Sequence, residues 1–325
     1  MNPAARPATG APRVSVVMPV YNAARHLEAA MRSALASDLE DLELIVVDDG
    51  SSDESLQIAR SVADARVLVI TQLASGGPSR PRNVGIARSR APYIALLDAD
   101  DLLKPDKLSA AVAALEAHPH AGLAFADYER IDGDGRVLER ATLTGYPVFQ
   151  SLNMRPAGDG WRLLPREQFA HGLLYENFIG TSGVILRRGA LEGIGPPFDE
   201  TLTFSEDRDL WFRLAHNGDA LYRERVGHAY RVTPGSLSLR PGAHQARSRI
   251  DVLRRERARW DERGARRQID RLIAENLAVI AYDQRRHGRR FSSAATFLRA
   301  AFASPQPRYM RAALGSLATT SRVAS

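Results

Sequence analysis

Short apolar segments alternate with helical segments over the first 126 residues of the chain, and this alternation is the strongest constraint on its fold. The apolar segments are rich in Val, Ile and Leu, and they cover residues 14–20, 42–47, 67–71 and 93–97. A strand-helix-strand order is typical of βαβ units, which build mostly parallel sheets. Because ligands of such sheets bind at the carboxyl ends of the strands, the polar residues that follow each apolar segment are candidates for a site.

The composition is that of an ordinary globular protein, with 44% hydrophobic and 25% charged residues among 325. There is no cysteine, which excludes disulfides, zinc-thiolate sites and thiol nucleophiles. We interpret residues 1–13, which are rich in Pro and Ala, as a disordered leader and not as a signal peptide. No apolar run approaches the roughly 18 residues that a membrane-spanning helix needs.

An acidic cluster follows the fourth apolar segment, where Asp98, Asp100 and Asp101 lie within four residues. Like charges so close together are unfavourable unless a cation or hydrogen-bond donors offset them. Mg²⁺ and Mn²⁺ take oxygen ligands and commonly bridge carboxylates to substrate phosphates. The cluster therefore favours a divalent-cation site. The alternative is a turn whose acids cap the helix that Pro105 starts.

Two further polar loops follow the second and third apolar segments. Asp48 and Asp49 come directly after residues 42–47, and such a carboxylate can accept the N–H of a nucleobase or can cap the next helix. Residues 75–83 contain two glycines, Arg80 and Arg82 before a helix. Backbone N–H groups and guanidinium groups in that arrangement suit a diphosphate, although neither a Walker motif nor a Gly-x-Gly-x-x-Gly is present.

Six segments in this order resemble the family 2 glycosyltransferases, which are inverting, metal-dependent enzymes with an Asp-x-Asp motif. The matching segments are residues 15–22, 45–53, 82–87, 93–101 (ending Asp98-Ala99-Asp100-Asp101), 195–214 (containing Glu206-Asp207) and 230–238. The resemblance covers about residues 14–240. It implies an α/β protein with the GT-A nucleotide-diphospho-sugar transferase fold, a Rossmann-like, mostly parallel sheet flanked by helices, followed by a C-terminal α-helical appendage.

The resemblance also implies roles for individual residues. The nucleotide would be bound by Pro19, Tyr21 and Asp49 at the base, with Asp48 in support, by Asp98 at the ribose or within its loop, and by Arg82 and Arg231 near the diphosphate. Asp100 would be the main metal ligand, with His228 completing the metal site, and Asp207 would be the catalytic base. The acceptor would contact Thr181, Ser182, Glu206 and Trp211. Two alternatives stay open: Trp211 suits a core position, and Asp207 suits a helix N-terminus.

The activity that the resemblance implies is transfer of a sugar from a nucleoside-diphosphate sugar to a hydroxyl group, with Mn²⁺ or Mg²⁺ as cofactor. UDP is the commonest nucleotide in the family, and the acceptor would be a glycan, a lipid-linked molecule or a protein in surface polysaccharide biosynthesis. One alternative is a sugar-phosphate nucleotidyltransferase, which usually has a Gly-rich, Lys-containing loop where this chain has Tyr21-Asn22-Ala23-Ala24. Another is a non-catalytic scaffold that binds nucleotide sugars.

Charge is unevenly distributed along the chain, whose net charge is +6. Residues 241–325 contain 18 arginines and seven acidic residues. We expect a leader (1–13), a nucleotide-sugar half (14–126), an acceptor half (127–240) and a basic helical region (241–325). The basic region is either a solvated helix face or a contact with an anionic membrane, and it can also form a homodimer. We expect no nucleic acid partner and a cytoplasmic protein, peripheral at the inner face of the membrane.

Overall fold

The computed structural model describes residues 10–233 and 242–318. Most of the predicted leader and part of the sixth motif segment lie outside the described residues. The chain forms two compact units. The first comprises residues 1–201 and 206–234, and the second comprises residues 202–205 and 235–325. The predicted division of the first unit into a nucleotide-sugar half and an acceptor half stays a prediction.

The first unit is built on a single mixed sheet. Its strands are β1 (Val14–Val20), β2 (Leu42–Asp48), β3 (Val67–Thr71), β4 (Tyr93–Leu96), β5 (Leu102–Leu103), β6 (Ala121–Ile131), β7 (Val137–Glu139), β8 (Arg155–Pro156), β9 (Trp161–Leu164), β10 (Ile185–Arg187) and β11 (Asp219–Arg231). Its helices are α1 (Leu27–Leu35), α2 (Ser55–Ser61), α3 (Ser79–Arg88), α4 (Lys107–Ala117), α5 (Pro147–Ser151), α6 (Arg166–Tyr175) and α7 (Glu206–Asn217).

Strand order explains how the polar loops come together. The sheet runs β3-β2-β1-β4-β10-β6-β11-β9-β8. The first four of these strands are parallel, and β6 and β11 are also parallel to each other, while β10 is antiparallel to both of its neighbours. Since β1, β2 and β4 point the same way, the loops after their last residues lie at one edge of the sheet. The four predicted strands and this shared edge are confirmed.

Apolar residues at the predicted spacings form the core of the first unit. Every residue of β2 is buried, as expected for a strand covered on both faces. Helix α1 buries Leu27, Ala30, Met31 and Ala34, which recur at helical spacing. Helix α3 approaches β1 through Gly85, where an added Cβ would lie 2.4 Å from Cγ1 of Val17. A glycine is therefore required for this contact between helix and sheet.

The loop after β2 depends on a second glycine. Gly50 has φ +74°, in the left-handed region that glycine adopts without strain. A Cβ at Gly50 would lie 2.7 Å from the backbone nitrogen of Ala74, so the loops after β2 and β3 pass each other at this point. The two loops therefore meet at the same edge of the sheet as the acidic cluster after β4.

The second unit is helical, as the sequence predicts. It contains α8 (Ala243–Arg259), α9 (Arg263–Arg286), α10 (Arg290–Ala303) and α11 (Pro307–Leu317), and each helix packs on the next. Gly288, with φ +74°, forms the predicted turn between α9 and α10. Within residues 10–233 and 242–318, the structure contains no helix with the length and apolar character needed to span a bilayer.

Candidate active site

The three aspartates of the acidic cluster have different surroundings. Asp101 is buried, and its two carboxylate oxygens accept hydrogen bonds from the backbone N–H of Arg231 at 2.8 Å and from the hydroxyl of Ser182 at 2.5 Å. The Ser182 hydroxyl oxygen in turn accepts the backbone N–H of Asp98 at 3.0 Å. Burial, together with the charges of Asp100 and Asp98, raises the pKa of Asp101 well above its usual range. Asp101 therefore anchors the loop to β11.

Asp98 and Asp100 are less buried than Asp101 and are separated by one residue. Burial, followed by the negative charge of Asp98, raises the pKa of Asp100 to about 6. Arg231 fixes the backbone of the loop at Asp100, because its Nε donates to the Asp100 carbonyl oxygen at 2.8 Å. A carboxylate whose pKa is raised by burial and by a neighbouring carboxylate is in the electrostatic situation that a bound divalent cation relieves.

Arg82 connects the acidic loop to the N-terminus of α7. Its guanidinium group is buried and lies 2.7 Å from Oδ1 of Asp98 and 2.8 Å from Oε1 of Glu206. It also lies over the ring of Phe198, with its Cζ 5.2 Å from the centroid. Burial alone would lower the pKa of Arg82, but Asp98 and Glu206 raise it above its usual range, so the side chain stays charged.

Asp207 follows Glu206 in the first turn of α7. One of its oxygens accepts a hydrogen bond of 2.9 Å from Nδ2 of Asn177, a residue in the loop after α6. Burial raises the pKa of Asp207, and the hydrogen bond from Asn177 opposes that rise. Burial and the charge of Asp207 likewise raise the pKa of Glu206. The sequence contained no signal for Asn177, because the contact depends on the packing of two segments 30 residues apart.

The sequence over residues 15–192 matches the model of glycosyl transferase family 2, which is more than half of the chain. The chain belongs to this family. Two succinoglycan biosynthesis proteins of Rhizobium meliloti (strain 1021) are relatives. ExoO is 31% identical over 228 residues, which are 70% of this chain and 63% of ExoO. ExoU is 32% identical over 253 residues, which are 74% of this chain and 66% of ExoU, so this chain spans somewhat less than two thirds of either relative.

Solved structures confirm the fold. S. aureus TarS 1-349 in complex with UDP superposes with a TM-score of 0.62 at 19% identity, covering 94% of this chain and 87% of TarS. The same fragment in complex with UDP-GlcNAc gives a TM-score of 0.63 at 17% identity, covering 94% and 88%. At this identity the likeness establishes the fold alone. The predicted GT-A fold with C-terminal helices is confirmed, as is the predicted membership of glycosyltransferase family 2.

The residues that family membership suggests for the nucleobase lie at the carboxyl ends of β1 and β2. Asp49 is buried, and its carboxylate accepts Nε2 of Gln72 at 2.6 Å and the backbone N–H and hydroxyl of Ser75. The Ser75 N–H is shared by both oxygens, so these donors make four contacts with the roughly four acceptor positions of the carboxylate, and a base N–H would have to displace or share one of them. Asp48 is also buried; its Oδ2 accepts the backbone N–H of Ser51, and its Oδ1 has no hydrogen-bond partner within residues 10–233 and 242–318. Gln72 and Ser75 were not predicted from the sequence.

Pro19 and Tyr21 flank the end of β1. Pro19 is half-buried, whereas Tyr21 is 60% exposed. An exposed aromatic ring beside a carboxylate that accepts N–H groups is suited to cover a planar base. The predicted base pocket therefore has its residues at one edge of the sheet, and their contact with a nucleotide stays a prediction.

Arg231 and His228 lie near the end of β11. The Arg231 guanidinium donates to the carbonyl oxygens of Asp132 and Gly133 as well as that of Asp100, so it ties the acidic loop to the turn after β6. His228 is buried and stacks on Tyr128 with ring centroids 5.1 Å apart, and among the described residues neither of its ring nitrogens has a hydrogen-bond partner. Burial, with the charge of Lys107, lowers the pKa of His228 to about 3, which leaves the imidazole neutral.

These residues fit a divalent cation in part. In the described part of the chain, no three His, Asp or Glu side chains form a ready-made metal site. Magnesium-type sites nevertheless often use only one or two protein carboxylates, with phosphate oxygens and water supplying the other ligands. Asp100 beside Asp98 matches that chemistry, and the neutral imidazole of His228, with two unpartnered nitrogens, is in the form that can act as a metal ligand.

The four residues predicted to contact the acceptor differ in burial and in their hydrogen-bond partners. Thr181 begins the short turn Thr181–Gly183 and is half-buried, and Glu206 is engaged by Arg82. Ser182 is buried with its hydroxyl used by Asp98 and Asp101, which favours a supporting role over contact with an acceptor. Trp211 has no exposed surface, so its ring cannot stack on a sugar. Of the two interpretations of Trp211, the structure supports the core position, because the apolar face of α7 packs against the sheet.

Proposed function

We propose that this protein transfers a sugar from a UDP-linked donor to a hydroxyl acceptor with inversion at the anomeric carbon. The main support for this proposal is that Arg82 forms ion pairs with both Asp98 and Glu206. These two ion pairs connect the end of β4, where donor phosphates of this family are expected, to the acidic N-terminus of α7. Arg82 therefore connects the loop of the proposed cation ligand to the helix of the proposed general base.

Asp207 is the proposed catalytic base. Its carboxylate is partly exposed at the start of α7, and its burial raises its proton affinity, as a base that must accept a proton requires. It takes the proton of the acceptor hydroxyl while that oxygen attacks the anomeric carbon and the bond to the diphosphate breaks. A single displacement of this kind inverts the anomeric carbon. Helix position alone, the alternative role, does not account for the hydrogen bond that Asn177 aims at Asp207.

The donor diphosphate is proposed to lie between the acidic loop and the glycine-containing loop before α3. Asp100, with His228, would hold Mn²⁺ or Mg²⁺, and the bound cation would neutralise charge that develops on the departing diphosphate. Arg82 and Arg231 are positively charged side chains at the same edge of the sheet, and both are already fixed by hydrogen bonds. Fixed donors need little reorganisation when negative charge develops, which is how they lower the barrier.

The identity of the substrates is proposed from the relatives. The TarS structures contain UDP and UDP-GlcNAc, which supports a UDP-hexose or UDP-hexosamine donor here. The succinoglycan proteins support an acceptor in surface polysaccharide biosynthesis, either a glycan or a lipid-linked molecule. We place the enzyme in the cytoplasm at the inner face of the membrane, with contact through residues 241–325. A homodimer through the same region is the competing arrangement.

Turnover of the donor tests the proposed function. The purified full chain is incubated with Mn²⁺ and a panel of UDP-hexoses and UDP-hexosamines, and release of UDP is measured with and without oligosaccharide acceptors. We expect turnover that Asp207→Asn lowers by about 100- to 10,000-fold, the range for a lost general base, while thermal stabilisation by UDP and Mn²⁺ is retained. Binding of UDP without turnover of any donor would support the scaffold alternative. Formation of a UDP-sugar and pyrophosphate from UTP and a sugar 1-phosphate would support the nucleotidyltransferase.

A further inference from the structure

Helix α10 has apolar residues on two opposite faces. The inner face, which includes Ala294 and Phe297, is buried, and the Phe297 ring meets Tyr282 of α9 with centroids 5.0 Å apart. The outer face carries Phe291, Leu298 and Phe302, which are 83%, 49% and 92% exposed. Their spacing of seven and four residues places them in one line along the helix. Helices that are apolar on two faces are normally covered on both.

The next helix repeats the pattern. Met310, Leu314 and Leu317 of α11 are exposed and recur at intervals of four and three residues, which again places them on one side. The adjacent side of α11, about 100° away around the helix, is buried and includes Ser316, whose hydroxyl lies 3.1 Å from that of Ser293 on α10. The two helices thus pack together through their inner faces and leave two rows of large apolar side chains exposed. We call these six residues the outer apolar rows.

The segment that carries the outer apolar rows is strongly basic. Residues 284–318 contain seven arginines and no lysine, aspartate or glutamate. Arg299 lies on α10 next to Leu298, and Arg311 lies on α11 next to Met310; both are exposed. Exposed aromatic and aliphatic residues among arginines are typical of helices that lie in the interface of an anionic bilayer, with apolar side chains among the acyl chains and guanidinium groups at the phosphates.

We propose that the outer apolar rows of α10 and α11 insert into the surface of an anionic lipid bilayer. A second copy of the chain is the less favourable occupant, because a face-to-face pair would bring together two arginine-rich segments (residues 284–318) that contain no acid, and Arg308 is offset only by Glu275 of α9, at 3.6 Å, among the ion pairs of the described residues. Anionic lipid headgroups supply the opposite charge, and the acyl region takes Phe291 and Phe302 out of water. This inference does not depend on the proposed sugar transfer, since lipid binding is measured without turnover.

Vesicle flotation with the full chain tests the proposal. The vesicles contain either phosphatidylglycerol mixed with phosphatidylcholine or phosphatidylcholine alone. We expect binding to the anionic vesicles only, and a loss of at least about tenfold in the partition coefficient for Phe291→Ser/Phe302→Ser. Arg299→Gln/Arg311→Gln should lose about 25-fold, since each surface arginine contributes about fivefold. The matched control is Val137→Ser/Leu138→Ser, which removes two exposed apolar residues from β7 and should bind as the parent does.

Three outcomes would overturn the proposal. The parent protein could fail to bind anionic vesicles, or Phe291→Ser/Phe302→Ser could bind as strongly as the parent. Light scattering could also show a dimer that this double variant dissociates, which would make the outer apolar rows an interface between copies. All substituted side chains are exposed, so unchanged circular dichroism and melting temperature are expected for each variant.

Discussion

At the scale of single residues, the site is a small network of ion pairs and hydrogen bonds. Arg82 is buried between two acids on different segments, and burying a guanidinium group is tolerated only because both partners are in contact with it. Ser182 similarly stabilises the loop, because its hydroxyl donates to Asp101 and accepts the backbone N–H of Asp98. The result is that Asp98, Asp100 and Asp207 are held in place by neighbours that are themselves fixed, as a site for charge stabilisation requires.

Asn177 gives a prediction about pH. Its Nδ2–H stabilises the charged form of Asp207, and Arg82 and Arg208 also lower the pKa of Asp207, while burial raises it. Asn177→Ala removes one stabilising donor, so the pKa of Asp207 rises and the acidic limb of the kcat profile moves to higher pH. We also expect kcat to fall by about tenfold, because the carboxylate is less well oriented.

The control for this prediction is Asn153→Ala, a substitution of an exposed asparagine in the same unit. It should leave both kcat and its pH profile unchanged. If Asn177→Ala lowers kcat equally at every pH, Asn177 contributes to structure alone and the assignment of Asp207 as its partner in catalysis is wrong. A rise in KM with an unchanged kcat would also contradict the prediction.

At the scale of elements, the position of the site depends on close contacts between α3 and β1. Gly85 faces Cγ1 of Val17, a β-branched side chain that is completely buried and has no room to turn. Helix α3 carries Arg82 one turn earlier, so any shift of the helix moves the guanidinium group away from Asp98 and Glu206. Packing and site geometry are therefore linked at this contact.

Gly85→Ala should lower the free energy of unfolding. Overpacking at a contact of 2.4 Å lowers the free energy of unfolding by up to about 3 kcal/mol. The higher helix propensity of alanine raises it by about 1 kcal/mol. The expected net loss is about 2 kcal/mol, measured by urea denaturation. Gly189→Ala is the matched control, since a Cβ there meets nothing within 4 Å, and it should change stability by less than about 0.5 kcal/mol. Equal effects of the two substitutions would contradict the packing argument.

At the scale of the whole molecule, the sequence predicted the elements and their order better than it predicted the contacts of the site. The alternation of apolar and helical segments identified β1 to β4, since buried parallel strands are nearly continuous in apolar residues. The motifs assigned Asp98 and Arg82 to the nucleotide and Glu206 to the acceptor, and they did not predict the ion pairs that Arg82 makes with both acids. Membership of the family and the GT-A fold followed from the same motifs.

Some features could not be predicted because they depend on tertiary contacts between distant segments. The sequence does not distinguish Asp101, which anchors the loop through two hydrogen bonds, from the half-buried Asp100, which is the proposed metal ligand. Both aspartates belong to one motif, and they differ only in the residues that contact them. Asn177, Gln72 and Ser75 carry no motif. The burial of Trp211 follows the apolar face of α7, which left two interpretations open until its packing was known.

The most direct test of the central claim is a crystal structure of the protein with Mn²⁺ and UDP. The account predicts anomalous scattering from manganese at the carboxylate of Asp100, a UDP diphosphate in contact with that ion, and the Asp207 carboxylate facing the open side of the diphosphate. UDP bound elsewhere, or Asp207 turned away from the bound diphosphate, would contradict the claim that these carboxylates form one site for sugar transfer.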